Sequence, residues 1–451
     1  MDNSIKNKDM KKEKEIINDD IIDTFKALTY STIGIIIFFI PINIHNQTAT
    51  IIYHIVDKIQ LKARNIIEFS IIIYTIIGSL KSFINYKDKK LSIKKIYIYL
   101  KMISILIILN IFYGKSIILI DDTTSLIINE TILNIAIILP VSSIFITFIL
   151  DYGLLEIIES YFQKSMKSLF KLSGKSILNI LIYLFTDYFC GFFVTNKLYK
   201  QGKIRNNEAC IIFLNFSILS IPMSIYVTEE LDLNKFEFFI ITTFILFISN
   251  FILCRIYPLN KKKKSYFIKT NYKETLHKDK KFKRGLNQYL KNRDKKNIFM
   301  NIANNLEESI NLAMNLIPNI TIILYISSIL INNGLTTNIF KSIFYPLVKI
   351  FRLSNYGELS KFFVNLFFNN IIAINSLDLN IEYSTKFLIG VILISICISL
   401  STSIICICNM NIKLSIKELI LLYLEKIIII VIIFSSIYYF YLGFTKNNYN
   451  I

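Results

Sequence analysis

The chain contains no tryptophan, only three histidines and only six cysteines in 451 residues. His45, His54 and His277 lie far apart in the sequence and form no cluster of metal-ligating spacing, so a histidine-based metal centre is not expected. The cysteines Cys190, Cys210, Cys254, Cys397, Cys406 and Cys408 fall mostly inside apolar stretches. That placement argues against a disulfide framework. Charge is also scarce: Asp, Glu, Lys and Arg make up 18% of the chain, against roughly 25% in soluble domains. Paired carboxylates and a nucleophile–base set are missing as well, so the sequence does not predict an enzyme. Gly174-Lys175-Ser176 ends like a phosphate-binding loop, but no glycine stands five residues earlier and no strand precedes it.

What the chain has in abundance is apolar surface, 53% of its residues. The charges gather in short stretches and leave apolar runs of roughly 20 residues, the length an α-helix needs to cross the hydrocarbon layer. Backbone groups in lipid must be satisfied within their own segment, so runs without strand-like alternation read as helices. The expectation is an all-α polytopic membrane protein with about ten membrane-embedded helices, some of them re-entrant, and its first partner is the lipid bilayer. Embedded segments are predicted near 28–44, 65–84, 96–113, 131–150, 176–196, 209–227, 236–257, 315–331, 361–377, 385–408 and 418–443. Amphipathic stretches are expected at 48–60, 151–175 and 298–312, and a short basic apolar segment at 339–353.

Net charge is +19, and the positive-inside rule accounts for it. No nucleic-acid motif accompanies the lysines, so nucleic acid is not an expected partner. Lysine-rich 1–26, 85–95 and 258–297 belong on the cytoplasmic side, acidic 114–130 and 229–237 outside. The N-terminal arm lacks a cleavable signal pattern. The stretches on either side of 176–196 are both basic, so this segment is expected to enter and return rather than cross. Asp187 within it would cost about 2.5–3.5 kcal/mol at the centre of a spanning helix. Such backbone is tolerated where it is buried in protein or lines a cavity.

A short internal repeat supports this organisation. Gly153-Leu154 is followed by Phe170-Lys171-Leu172-Ser173, and Gly334-Leu335 by Phe351-Arg352-Leu353-Ser354, with the same spacing and no gap. An apolar helix ends at each glycine, a basic amphipathic stretch follows, and an Asn-bearing apolar segment comes next. The charge pattern inverts the second copy relative to the first, although that leaves Lys341, Lys349 and Arg352 outside. Transporters are commonly built on such duplications, with the site at the repeat interface. The divisions follow: a charged arm at 1–27, N-terminal helices at 28–130, a first repeat at 131–257, a basic loop at 258–297, a second repeat with C-terminal helices at 298–443, and a tail at 444–451.

The runs Leu150-Asp151-Tyr152-Gly153-Leu154-Leu155-Glu156, Phe170 to Ser176, Thr195-Asn196-Lys197-Leu198-Tyr199-Lys200-Gln201-Gly202-Lys203, Asn207-Glu208-Ala209 and Asn215-Phe216-Ser217 resemble the YjiH family. Its members are bacterial membrane proteins with nucleoside-recognition (Gate) domains. Gly34 to Pro41 and Thr385-Lys386-Phe387 fit the same pattern, so the resemblance runs from about 28 to 440. It implies a multi-pass protein of the bacterial cytoplasmic membrane that moves a small polar solute, with nucleosides the first class to consider. The alternative is a protein that organises partners during envelope or spore assembly, since Gate domains also occur in spore maturation proteins. The resemblance names no cofactor and leaves self-association open. Asn179, Leu366-Phe367-Phe368-Asn369 and Ser401-Thr402-Ser403-Ile404 stand where the family carries acids. If those acids hold cations or protons, that coupling is lost here; Asp187 and Glu208 are the acids left in the first copy. Candidate solute-binding residues are Asp187, Asn179, Asn196, Asn215, Ser217, Asn369 and Asn370.

Overall fold

The structure is a computed structural model describing residues 2–44, 47–84, 93–114, 120–268, 280–292, 297–333, 345, 349, 356–368, 370–375, 377, 381–396, 400–410, 412 and 414–448. Among the described residues it is almost wholly helical. Helix α1 (Asp2–Phe39) leads into a two-stranded hairpin of β1 (Pro41–Ile44) and β2 (Gln47–Thr50), in which Pro41 pairs with Thr50 and Ile44 with Gln47. Then come α2 (Ile51–Lys62), α3 (Arg64–Ile84), α4 (Ile93–Tyr113), α5 (Asp122–Leu150) and α6 (Leu154–Phe170). The centre of the chain forms α7 (Ser176–Phe185), α8 (Tyr188–Lys200), α9 (Asn206–Asn215), α10 (Ile221–Glu230) and α11 (Lys235–Leu253). The rest is α12 (Lys281–Asn292), α13 (Ile298–Asn332), α14 (Tyr356–Phe368), α15 (Asn370–Asn375), α16 (Tyr383–Ser395), α17 (Leu400–Met410) and α18 (Ile416–Asn448).

Among the described residues, six helices are long and apolar enough to cross a membrane: Asp20–Phe39, Arg64–Ile84, Asp122–Leu150, Lys235–Leu253, Ile298–Ile331 and Ile416–Tyr438. Their outer faces keep large apolar side chains exposed, such as Phe69 on α3, Phe236 and Phe244 on α11 and Ile432 on α18. Exposure of that kind is costly in water and costless in lipid. The chain is a multi-pass membrane protein of all-α class.

Several expectations change in detail. The charged arm belongs to α1, and the first apolar run stops at Phe39, with 41–44 forming a strand. The stretches 298–312 and 315–331 form one helix, α13, despite Pro318 inside it. The segments 209–227 and 385–408, expected as single spans, are each broken in the middle. The first break has a visible cause. A continuous helix would need the N–H of residue 222 to bond back to Ile218, and Pro222 has none. The chain therefore unwinds after Asn215 and restarts at Ile221, with the proline in the first turn.

The central pair is α5 against α13, running antiparallel. Ser309 Oγ lies 3.0 Å from Ser143 Oγ, and Asn305 Nδ2 donates to Thr147 Oγ1 at 2.7 Å. Small and hydroxylated residues let two helices approach closely where lipid gives no hydrophobic drive to association. Behind this pair, α3 sits on α13 at Gly78. A Cβ there would lie 1.8 Å from the Met314 carbonyl oxygen, the carbonyl that Pro318 leaves without its helical N–H partner.

The separation between Gly153 and Gly334 also relates the elements of the two halves. It carries α5 onto α13, α7 onto α14, α9 onto α16, α10 onto α17 and α11 onto α18. The motif stretch of the second copy, 334–355, lies almost entirely outside the described residues, but the order of elements repeats. Because the equivalent helices α5 and α13 pack antiparallel, the two halves are inverted with respect to one another.

Candidate functional site: two broken helices crossing

The segment 176–196 folds into a helical hairpin. Helix α7 ends at Phe185, Thr186 and Asp187 turn the chain, and α8 returns. Asn179 Nδ2 donates to Thr195 Oγ1 at 2.7 Å, and the Tyr183 hydroxyl lies 3.2 Å from the same oxygen. Gly191 lets the arms close, for its Cα faces the Tyr183 ring. Asp187 caps α8: its Oδ1 accepts from the Phe189 N–H at 2.7 Å, and its Oδ2 accepts from Asn134 Nδ2 of α5 at 3.4 Å. Asn134 stands about 18 Å from one end of α5 and about 24 Å from the other at 1.5 Å per residue. The hairpin thus reaches roughly the middle of a spanning helix and turns back, which is the geometry that the two flanking basic stretches require.

The base of the hairpin is held by charge. Lys175 Nζ lies 3.6 Å from Glu159 Oε2, with both side chains 2% exposed. Glu208 accepts from the Ser173 N–H at 2.9 Å and from the Arg205 N–H at 2.8 Å, which ties the start of α7 to the start of α9. Lys197 donates to Asn305 and, at 3.2 Å, to Glu308, joining α8 to α13. Asp151 sits nearby; burial pushes its carboxyl above the usual range, against the pull of Lys203 and Lys197. Arg255 closes α6 by donating to the Leu169 carbonyl at 2.7 Å and the Ser168 carbonyl at 2.9 Å, as a cation at a helix C-terminus should.

From this base α9 rises to its break, while α16 descends from the opposite face, where Tyr383 meets Asn234 at the start of α11. The break after α9 meets the last turn of α16: the Leu219 N–H donates to the Ile394 carbonyl at 3.0 Å. A cavity of about 40 Å³ lies beside this crossing, lined among others by Asn215, Ser217, Ser395, Ser403, Tyr423 and Lys426. That is room for a few waters. The Lys426 ammonium, on α18, donates to the carbonyls of Leu214 and Asn215 at 3.1 and 3.3 Å. The second pair of short helices also reaches this point. Phe367 of α14 stacks edge-on against Tyr423, their ring centroids 5.6 Å apart, and Asn370 Nδ2 donates to the Ile396 carbonyl at 2.9 Å.

No family model matches the chain. An uncharacterised protein of Alkalihalophilus pseudofirmus is 31% identical over 121 residues, which is 26% of this chain and 26% of that protein. Among solved structures, a doubly substituted CNTnw in an outward-facing state aligns with 91% of this chain and 89% of its own, at 12% identity and a TM-score of 0.38.

Of the seven residues singled out in the sequence, the structure brings Asn215 and Ser217 to the cavity and Asn370 to its edge. Asp187 and Asn179 hold the hairpin together. Asn196 is buried on α8, and its Oδ1 accepts no hydrogen bond among the described residues. Asn369 lies outside the described residues. Sequence reasoning passed over Ser395, Tyr423 and above all Lys426, and met Ser403 only as part of a stretch where the resemblance expects an acid. A lysine in the apolar run 418–443 was a readable signal, because ionisable groups inside a membrane segment are rare and tend to serve a function.

Proposed function

We propose that this chain is a secondary transporter for a small polar solute, and that the solute passes through the cavity where the two broken helices cross. One observation carries this reading: α9 and α16, which hold equivalent places in the two halves, end against one another beside a cavity furnished with amide, hydroxyl and ammonium groups. Irregular backbone inside a membrane is tolerated where it lines a site, and midplane sites at repeat interfaces are how such proteins alternate access. At about 40 Å³ the cavity is far below the several hundred Å³ of a site that encloses an organic ligand. This is therefore the closed form, and a solute enters only when α9 and α10 part from α16 and α17. The basic ends of α6, α8 and α12 would face the cytoplasm of a bacterial cell.

The resemblance to Gate-domain proteins makes nucleosides the first class to test. Thermal unfolding of the detergent-purified chain would be followed against nucleosides, bases and small anions, alongside uptake into proteoliposomes. A solute at 100 times its dissociation constant adds about 2.7 kcal/mol. Stabilisation by one class, weakened in Asn215→Ala and Ser217→Ala and matched by uptake of that class, supports the reading. No shift and no uptake with any class overturns it.

A further inference from the structure

Lys426 lies about 15 Å along α18 from the start of that helix, and only 6% of it is exposed. An ammonium at that depth is costly unless strong acceptors replace its water. The acceptors here are the carbonyls of Leu214 and Asn215. These belong to the last turn of α9, where four carbonyls lose their helical partners and the helix dipole presents its negative end. Among the described residues that line the cavity beside them none is Asp or Glu, and the Leu214 and Asn215 carbonyls face the charge. Unwound carbonyls with the carboxamide of Asn215 and the hydroxyls of Ser217 and Ser403 form an oxygen-rich surround, the ligand chemistry of a small hard cation.

We infer that Lys426 is a tethered cation: its ammonium fills, as part of the chain, a place at the break of α9 that a monovalent metal ion could otherwise take. The central site is then assembled without a bound ion, and the charge that stabilises the broken helix cannot dissociate. This goes beyond the transport reading and holds whether or not the chain carries a solute.

The test is thermal unfolding of the purified full chain in sodium, lithium, potassium or N-methylglucamine chloride at constant ionic strength. The wild type should melt at one temperature in all four. Lys426→Met should melt lower in N-methylglucamine and recover saturably in sodium or lithium, by about 3 °C when the ion is 100-fold above its dissociation constant. Recovery of folded Lys426→Met only from preparations made in sodium or lithium would count the same way. Four results overturn the inference. Lys426→Met could be equally stable in all four salts, or fail to fold in any of them while Lys426→Arg folds. Lys426→Gln could match the wild type in N-methylglucamine, which would make the contact a hydrogen bond with no need of charge. A saturable sodium response in the wild type that Lys426→Met retains would also overturn it.

Discussion

Replacing Gly191 by alanine tests the hairpin most directly. A Cβ at this position would lie 2.5, 2.5 and 2.6 Å from three atoms of the Tyr183 ring, where ordinary contacts begin near 3.4 Å. The ring is fully buried and cannot swing away, so the arms must part by roughly 1 Å. Overpacking of this kind costs about 1–3 kcal/mol. Parting the arms also weakens the Asn179–Thr195 and Tyr183–Thr195 contacts, each worth roughly 1 kcal/mol. Alanine returns about 1 kcal/mol through its better helix propensity. The net expectation is a loss of about 2 kcal/mol, read by equilibrium unfolding in mixed micelles. Because the penalty comes from one ring, it should vanish when Tyr183 is already alanine, leaving Gly191→Ala neutral or slightly stabilising in that background. The coupling energy between the two sites should therefore be about 2 kcal/mol, within the range for residues in contact. If Gly191→Ala costs less than about 0.5 kcal/mol in both backgrounds, α7 and α8 do not pack as described.

Gly78→Ala should be more severe, because the added carbon meets the Met314 carbonyl oxygen at 1.8 Å and α3 must move off α13; loss of folded protein on size-exclusion chromatography is the expected readout. Glu159→Gln leaves the buried Lys175 ammonium facing a neutral group and should cost roughly 3 kcal/mol, the low end for a broken buried pair because Glu156 also faces Lys175. The pair Glu159→Leu with Lys175→Met should recover most of that loss in the same unfolding assay. Asp121 caps α5, accepting from the Thr124 N–H at 3.1 Å, so Asp121→Ala should cost about 1 kcal/mol. Partial burial raises the Asp121 carboxyl, but hydrogen bonds from Thr123 and Thr124 outweigh it and hold the carboxyl below its usual range. With a folded pKa below the unfolded one, the cap's contribution is complete above the unfolded value and fades as pH falls through the folded one. The gap between the wild-type and Asp121→Ala unfolding curves should therefore narrow as pH falls below the ordinary aspartate range.

Much of the architecture was readable because membrane constraints write themselves into long runs. Apolar length placed the spans, and two basic stretches flanking Asp187 foretold a segment that turns back. The repeat was readable from two glycines and a four-residue run. The breaks were not, and for a physical reason. Between Val391 and Leu400 the chain reads as uninterrupted apolar helix, with no proline or glycine to stop it. Its interruption after Ser395 is stabilised from outside, by the Leu219 N–H on the Ile394 carbonyl and by Asn370 on the Ile396 carbonyl. Contacts of this kind lie far apart in sequence and leave no local mark. Pro222 did mark the other break, but one proline near the end of an apolar run also fits a helix that merely kinks. Asp187 shows the converse. It carries the strongest signal in the sequence, an acid inside an apolar segment, and the structure gives that acid a capping bond to Phe189 and an amide from Asn134.

The two halves share a plan without sharing chemistry, and the difference decides what the centre can do. The spacing that relates Gly153 to Gly334 sets Asn215 against Ile396, Asp187 against Phe368, and Lys426 against Ile245. These three polar features therefore occur once. The first half supplies an amide and a set of end-of-helix carbonyls at its break, and the second half answers with a cation on its last helix. An inverted duplication with equal copies would place two like sites on either side of a pseudo-two-fold axis. Divergence has instead placed the ammonium at one break and left the other with neutral groups, Ser395, Ser403 and the Asn370 amide, beside the Leu219–Ile394 backbone contact. Motion that separates the broken helices must stretch or carry the Lys426 contacts.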